Sequence, residues 1–398
     1  MEPELAVKNK KVVYFLYTSP GSYPILGHAV RCLLADGWEV LVLGIGTTGT
    51  AANLQLKNAE GLQQKTLSPA NAGLRQKIHF IYFAIWATWQ AFLWKPDVIY
   101  CIERLAAPAA LLSRLFLWKP ILFHEYDPPQ NPRSVFEQLL NFTRRVIAKR
   151  AVACVIPNEE REIDFRESLT PKKSMMVWNA VSTTEIKSER ENRIGSEPLC
   201  LWYQGAINAG QFPETLAEAV ASVPDVILKF VGFSSAAWKD YPSKIIDRAQ
   251  ELGAVNRVQY LGTPATREEL YKLSEAGHVG LILFKIPFRD PMAGASQKAF
   301  EYMAAGMPLL VPDIPEWQRF VVDNGFGRAC DPGDPDSIAE QIRWFVEHAA
   351  EAKQMGIQAR KKIVEEWNYE NLFQPVISVL NDQVKTKETN SMKSQDKQ

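Results

Sequence analysis

Short apolar runs alternate with helix-like stretches along most of this chain. In the first half, residues 12–17, 39–43, 97–101, 121–123 and 152–156 are short runs rich in β-branched or apolar residues. Helical stretches such as 25–35, 106–116 and 135–149 lie between several of them. A second series follows at 199–203, 226–231, 258–261, 280–284 and 309–311, again with helices between. Near-continuous apolar strands separated by helices predict parallel sheets covered on both faces. The polar stretch 183–198, TTEIKSERENRIGSEP, separates the two series and reads as a linker. The pattern therefore predicts an α/β protein of two doubly wound domains facing a cleft, with ligands held outside the carboxyl ends of the strands. The expected boundaries are 1–183 for the first domain, 184–198 for the linker and 199–368 for the second. A helix at 369–382 could cross back to the first domain, and the Lys/Ser/Gln/Asp-rich end, 383–398, is expected to be disordered.

One stretch breaks the rhythm: residues 78–94, IHFIYFAIWATWQAFLW. It falls short of the ~20 apolar residues that a membrane span needs and carries His79, Thr88 and Gln90. The expectation is a buried crossover helix, with peripheral membrane contact left open by the tryptophans here and at Trp118. At 398 residues the chain is too long for one ordinary core, which supports the two-domain reading. Forty-five basic side chains balance forty-five acidic ones, so no global field recruits nucleic acid. The cysteines (Cys32, Cys101, Cys154, Cys200, Cys330) are scattered without a C-x-x-C pair, which argues against a disulfide framework or a zinc site and suits a reducing cytosol. The first residues, MEPELAVKNKK, lack the basic-then-apolar order of a signal peptide, so a cytoplasmic location is expected.

The most informative segment chemically is 288–313, FRDPMAGASQKAFEYMAAGMPLLVPD. A loop of small residues (Ala293, Gly294, Ala295, Ser296) runs into a short helix with Lys298 and Glu301, which Gly306 and Pro308 stop. Small residues ahead of a helix let phosphates approach its N-terminal N–H groups, where the helix dipole favours negative charge. Lys298 adds a fixed cation, and Glu301, one turn on, can accept hydrogen bonds from a ribose diol. Loop, cation and carboxylate together read as a sugar-nucleotide cradle. Three weaker features point to the same cleft: Gly21 in TSPGSYPILGHA, His124–Glu125 after the fourth strand, and the glycine loop around Gly205 in YQGAIN. An imidazole and a carboxylate at a strand end could orient a sugar hydroxyl or shuttle a proton, or simply close a loop.

In their order, LWYQGAIN, VILKFVG, RVQYLGT, EELYKLSEAGHVGLILF, KAFEYMAAGMPLLVPD and DPGDPDSIAEQIRWF resemble the retaining glycosyltransferases of the "group one" type. That resemblance implies the GT-B fold, two Rossmann-like domains with the first on the acceptor side and the second holding the nucleotide-sugar. It implies that Glu301 binds the donor ribose, that residues 293–296 offer amides to the phosphates and sugar, and that Gly21 and Gly205 lie near the diphosphate. It also implies that His124 lies near the transferred sugar, that the loop 262–264 meets the base, and that neither a metal nor a cofactor is needed. The expected partners are a nucleoside diphosphate-sugar, as substrate, and a glycan, lipid or small-molecule acceptor. The sequence departs from the family in two places. Ala293 stands where a second glutamate is common, with Asp290 nearby but out of register, and the stretch GAINAGQF lacks the usual Arg or Lys after the glycine loop, Gln211 standing there instead. A non-catalytic nucleotide-sugar-binding or partner protein on a degenerate scaffold is the alternative that these departures keep open.

Overall fold

The computed structural model describes residues 9–47, 56, 58–71, 73–129, 132, 134–187, 194–195, 198–285 and 292–395, with side chains up to residue 385 except that of Ser22. The chain forms two compact units, Met1–Trp178 with Tyr369–Gln398, and Asn179–Asn368. The first domain thus ends five residues earlier than the sequence pattern places it.

In the first unit seven parallel strands lie in the order β3-β2-β1-β4-β5-β6-β7. They are β1 (Lys10–Phe15), β2 (Trp38–Ile45), β3 (Leu62–Leu67), β4 (Val98–Ile102), β5 (Ile121–His124), β6 (Ala153–Ile156) and β7 (Ser174–Met176). Val12 on β1 pairs with Val40 on one side and with Val98 on the other, so the order of the chain reverses at the β1/β4 boundary. On one face lie α2 (Leu74–Trp94), α3 (Glu103–Leu117) and α4 (Val135–Arg150), whose Phe83, Ala87, Ala106, Ala110 and Ile147 pack against Phe15, Cys101 and Phe123. On the other face, α1 (Pro24–Ala35) and the C-terminal helix Tyr369–Gln395 bury Leu26, Leu33, Phe373 and Leu380 against Tyr14, Tyr100 and Leu122. A polar clasp fixes the returning helix: the Lys10 ammonium donates to Asp36 (2.8 Å) and Asn381 (3.1 Å), and the Asn381 amide donates to Asp36 (2.9 Å). The helix continues to Gln395, through the polar stretch whose composition predicts disorder. Phe373 is fully buried, so Phe373→Ala is expected to cost ~3–5 kcal/mol, read as a lowered denaturant midpoint.

The second unit repeats the plan with six parallel strands in the order β10-β9-β8-β11-β12-β13. They are β8 (Leu199–Ala206), β9 (Val226–Phe233), β10 (Val258–Tyr260), β11 (Val279–Leu281), β12 (Leu309–Pro312) and β13 (Gly327–Cys330). Here the order reverses between β8 and β11, a switch point of the kind where open α/β sheets hold ligands. Gly327 is obligatory at the edge, because a Cβ there would lie 2.1 Å from the Leu309 carbonyl oxygen.

The apolar stretch 78–94 does form a crossover helix, but only one narrow face of it is buried. Phe80, Phe83, Ala87 and Ala91 face the core, while Ile81, Ile85 and Trp89 are 62%, 58% and 57% exposed. A helix that is apolar all round has no polar face to turn outward.

Candidate functional site

At the switch point of the second unit, β8 ends in Gln204, Gly205 and Ala206, and α9 (Gln297–Ala304) begins just after the small-residue loop. Gly205 has φ +136°, a conformation that side chains rarely adopt, and a Cβ there would lie 3.7 Å from the Lys298 ammonium nitrogen. Lys298 therefore stands directly against the glycine loop. Its Nζ lies 4.5 Å from the centre of the Tyr203 ring and 3.4 Å from the Tyr203 hydroxyl. Burial pulls its pKa down to about 8, with Glu301 opposing.

Glu301 is held from two sides. The Gln204 side-chain amide donates to one oxygen, and Arg267 donates to the other at 2.8 Å. Gln204 is itself oriented by the Trp202 indole N–H (2.9 Å), while its backbone N–H donates to the Tyr302 hydroxyl (2.9 Å). Burial lifts the Glu301 pKa, Arg267 pulls against it, and Glu185, 3.5 Å from Arg267, adds to the rise. For Arg267, burial works against the charge, but Glu301, Tyr271 and Glu185 together hold it firmly protonated. Two cations and two carboxylates thus interact around Glu301.

Arg267 had no place in the sequence reading, because it lies 34 positions from Glu301. A signal does exist. It is the first residue of α8 (Arg267–Ser274), behind the Thr266 N-cap, where the helix dipole disfavours a cation. A base in that position needs a carboxylate partner from elsewhere in the fold.

The loop ahead of α9 is more self-contained than its composition predicts. Glu316 accepts the N–H groups of Met292 (2.9 Å) and Ala293 (3.1 Å), while the N–H groups of Ala295 and Ser296 donate to the Met292 carbonyl. The amides of Ala293, Ala295 and Ser296 are therefore engaged. The N-terminus of α9 carries no side-chain cap from Ser296, and this leaves its first turn open to an anion. The carbonyls of Gly294 and Ala295 accept from the backbone and side chain of Asn179 (2.9 and 2.8 Å). Asp290 lies outside the described residues. Gln211 sits in the turn after β8, where its N–H and that of Gly210 donate to the Asn208 side-chain oxygen. In the loop after β10, Gly262 has φ +81° and Thr263 donates to the Gly232 carbonyl at 2.8 Å.

In the first unit, Gly21 lies in the single 3-10 turn Pro20–Ser22 between β1 and α1. His124 closes β5 but is only 1% exposed, wedged against Tyr126, with its Nδ1 2.9 Å from the Tyr100 hydroxyl. Burial pushes its pKa down to about 3, so the ring is neutral at any physiological pH. The proton shuttle that the sequence leaves open does not fit this environment, whereas a neutral hydrogen-bonding role does. Glu125 is buried and bonded through both oxygens to Arg144, at 2.5 and 2.6 Å, and so braces α4 against the sheet. Glu103, absent from the sequence reading, stands at the β1/β4 switch point with φ +64°, a strained conformation for a residue with a side chain. Its carboxyl accepts the N–H groups of Tyr126 (2.8 Å) and Asp127 (3.2 Å). Burial, with help from Glu125, raises its pKa to about 8.

Both units are doubly wound Rossmann-like sheets, and this is the GT-B fold. Residues 185–362, nearly all of the second unit, match the family model described as glycosyl transferases group 1. The match covers the stretch whose motifs carry the resemblance in the sequence. A search of curated protein sequences finds no match. Among solved structures, the chain is similar to sucrose-phosphate synthase from Thermosynechococcus elongatus, at 16% identity, TM-score 0.74, and coverage of 95% of this chain and 100% of that one. It is also similar to HepE of Anabaena in complex with UDP and glucose (15% identity, TM-score 0.69, coverage 94% and 100%). A glycosyltransferase from Rickettsia africae gives 12% identity and TM-score 0.71, with coverage of 95% and 99%. Among the described residues, no group of three or more His, Cys, Asp or Glu side chains could hold a metal ion.

Proposed function

We propose that this protein transfers a sugar, with retention and without a metal, from a nucleoside diphosphate-sugar to an acceptor hydroxyl in glycan, polysaccharide or glycolipid biosynthesis, and that it works in the cytoplasm. The observation that carries this reading is the Lys298 ammonium set against Gly205 beside the uncapped start of α9, with Glu301 clamped nearby. Glycine lets a diphosphate come close, Lys298 and the first helical turn meet its charge, and the oriented Glu301 carboxylate receives the ribose hydroxyls. As the bond to the sugar breaks, negative charge grows on the leaving diphosphate, and preorganised cations and N–H groups lower the barrier by stabilising it. HepE of Anabaena, crystallised with UDP and glucose, makes a uridine diphosphate-sugar the first donor to try. The Arg and Lys missing after Gly205 are made good in part by Lys298, and Arg267 opposes the rise that burial imposes on the Glu301 pKa.

A thermal-shift panel of UDP-, GDP-, ADP- and dTDP-sugars tests the reading, since a ligand stabilises the fold by RT ln(1 + [L]/Kd). One nucleotide is expected to raise the melting temperature; no response to any of them contradicts the proposal. A nucleotide that binds yet supports neither transfer nor slow donor hydrolysis would favour the non-catalytic alternative. Binding is also expected to depend on pH in a definite sense. The diphosphate prefers the lysine protonated, and Lys298 is protonated below its pKa of about 8. Donor affinity should therefore be level from pH 6.5 to 7.5 and fall toward pH 9, with proton uptake on binding in that upper range. Titration calorimetry in buffers of different ionisation enthalpy measures that uptake.

A further inference from the structure

The first unit carries an apolar face that its own core does not use. Along the outer side of α2, Ile78, Ile81, Tyr82, Ile85, Trp89 and Phe92 succeed one another at helical spacing, each more than half exposed. The patch extends onto α4, where Val135, Leu139 and Phe142 are exposed and the Phe80 and Phe136 rings meet edge-on at 5.2 Å. At the far end, Trp118 after α3 is 84% exposed. So large a continuous apolar face on a water-facing helix marks a docking surface.

Charge identifies the occupant. The whole chain is neutral, yet residues 74–95 contain Arg75, Lys77 and Lys95 and not one Asp or Glu. The exposed side of α4 continues from its apolar half into Arg145 and Lys149. A second copy of this chain meeting the face through a two-fold axis would set these bases against one another. An anionic bilayer instead meets the bases with phosphate headgroups and receives the isoleucines below them, with tyrosine and tryptophan at the interface. Among the described residues no helix is long and apolar enough to cross a membrane, so the contact is one of lying on the surface. We propose that the outer face of α2, extended by α4, docks this protein on an anionic lipid surface, with α2 lying flat in the headgroup layer.

The test is flotation of the full chain with vesicles of phosphatidylcholine alone and with phosphatidylglycerol added. Binding is expected to the mixed vesicles, weaker binding to phosphatidylcholine, and loss at high salt. Ile81→Glu with Ile85→Glu should cut partitioning by roughly tenfold or more per position, without lowering the melting temperature, because both side chains point outward. Arg75→Ala with Lys77→Ala, which leaves the apolar face intact, should weaken it about fivefold per charge. A protein that stays unbound with both vesicle types would overturn the proposal, and equal binding to both would overturn the anionic assignment. A wild-type dimer by light scattering, made monomeric by the double glutamate variant, would give the face to a second copy instead.

Discussion

Lys298→Ala is expected to weaken binding of a nucleoside diphosphate about 10- to 150-fold while hardly changing that of the free nucleoside. A charge-assisted hydrogen bond to phosphate is worth ~1.5–3 kcal/mol, and Lys298 is the cation placed against the glycine loop. Turnover should fall further still, by roughly 10²–10³, because the leaving diphosphate gains charge in the transition state. The fold should survive, since the lysine is held by one ring contact and one long hydrogen bond to Tyr203 rather than by an ion pair in the core. Titration calorimetry of the variant with both ligands separates the outcomes. Equal losses for nucleoside and diphosphate would place the phosphate elsewhere.

His124→Ala is expected to depress kcat by roughly 10²–10³, the usual effect of losing one neutral hydrogen-bonding group at the reacting centre, with little change in donor affinity. The cradle belongs to the second unit, and His124 closes a strand of the first. Its pKa of about 3 fixes the sign of a second observation. The imidazole is already neutral throughout pH 5–9, so no limb of the pH–rate profile should move when it is replaced. Loss of a limb near pH 6.5 in the variant would show that His124 titrates in the working enzyme and exchanges protons. Some stability is lost as well, because Tyr100 loses its hydrogen-bond partner and a buried ring is removed. The split between kcat and donor affinity, measured below the variant's melting temperature, distinguishes a positioning role from a purely structural one.

The fold was legible in the strands that lie inside the sheets and not in most of those at the rims. β1, β4, β5, β8 and β12 are buried on both faces and read as unbroken apolar runs. β3 is LQQKTL with no fully buried residue, β7 is three residues long, and β13 is GRAC; as sheet edges they need no apolar run, and composition does not reveal them. The candidate site divides in the same way. Gly205, Lys298 and Glu301 are visible because each is a local exception, a glycine at a strand end or a charge on a short apolar helix. Arg267 acts on Glu301 from 34 residues away and Glu316 holds Met292, in the loop ahead of α9, from 24, and only the fold brings these positions together. Glu103 was invisible for another reason: its significance lies in a backbone angle and a buried carboxyl, neither of which its sequence context IERLAA encodes.

Glu301→Ala offers the most direct test of the account as a whole, through calorimetric titration of wild type and variant with the nucleotide that the thermal-shift panel selects. Among the described residues the Glu301 carboxylate is held by Arg267 and Gln204, and the side chain of Arg267 is 35% exposed, so removal of Glu301 should leave the unit folded. A loss of about 10- to 150-fold in affinity is expected, shared by nucleoside and diphosphate alike because the contact is to the ribose. An unchanged dissociation constant in a variant with wild-type melting behaviour would contradict it.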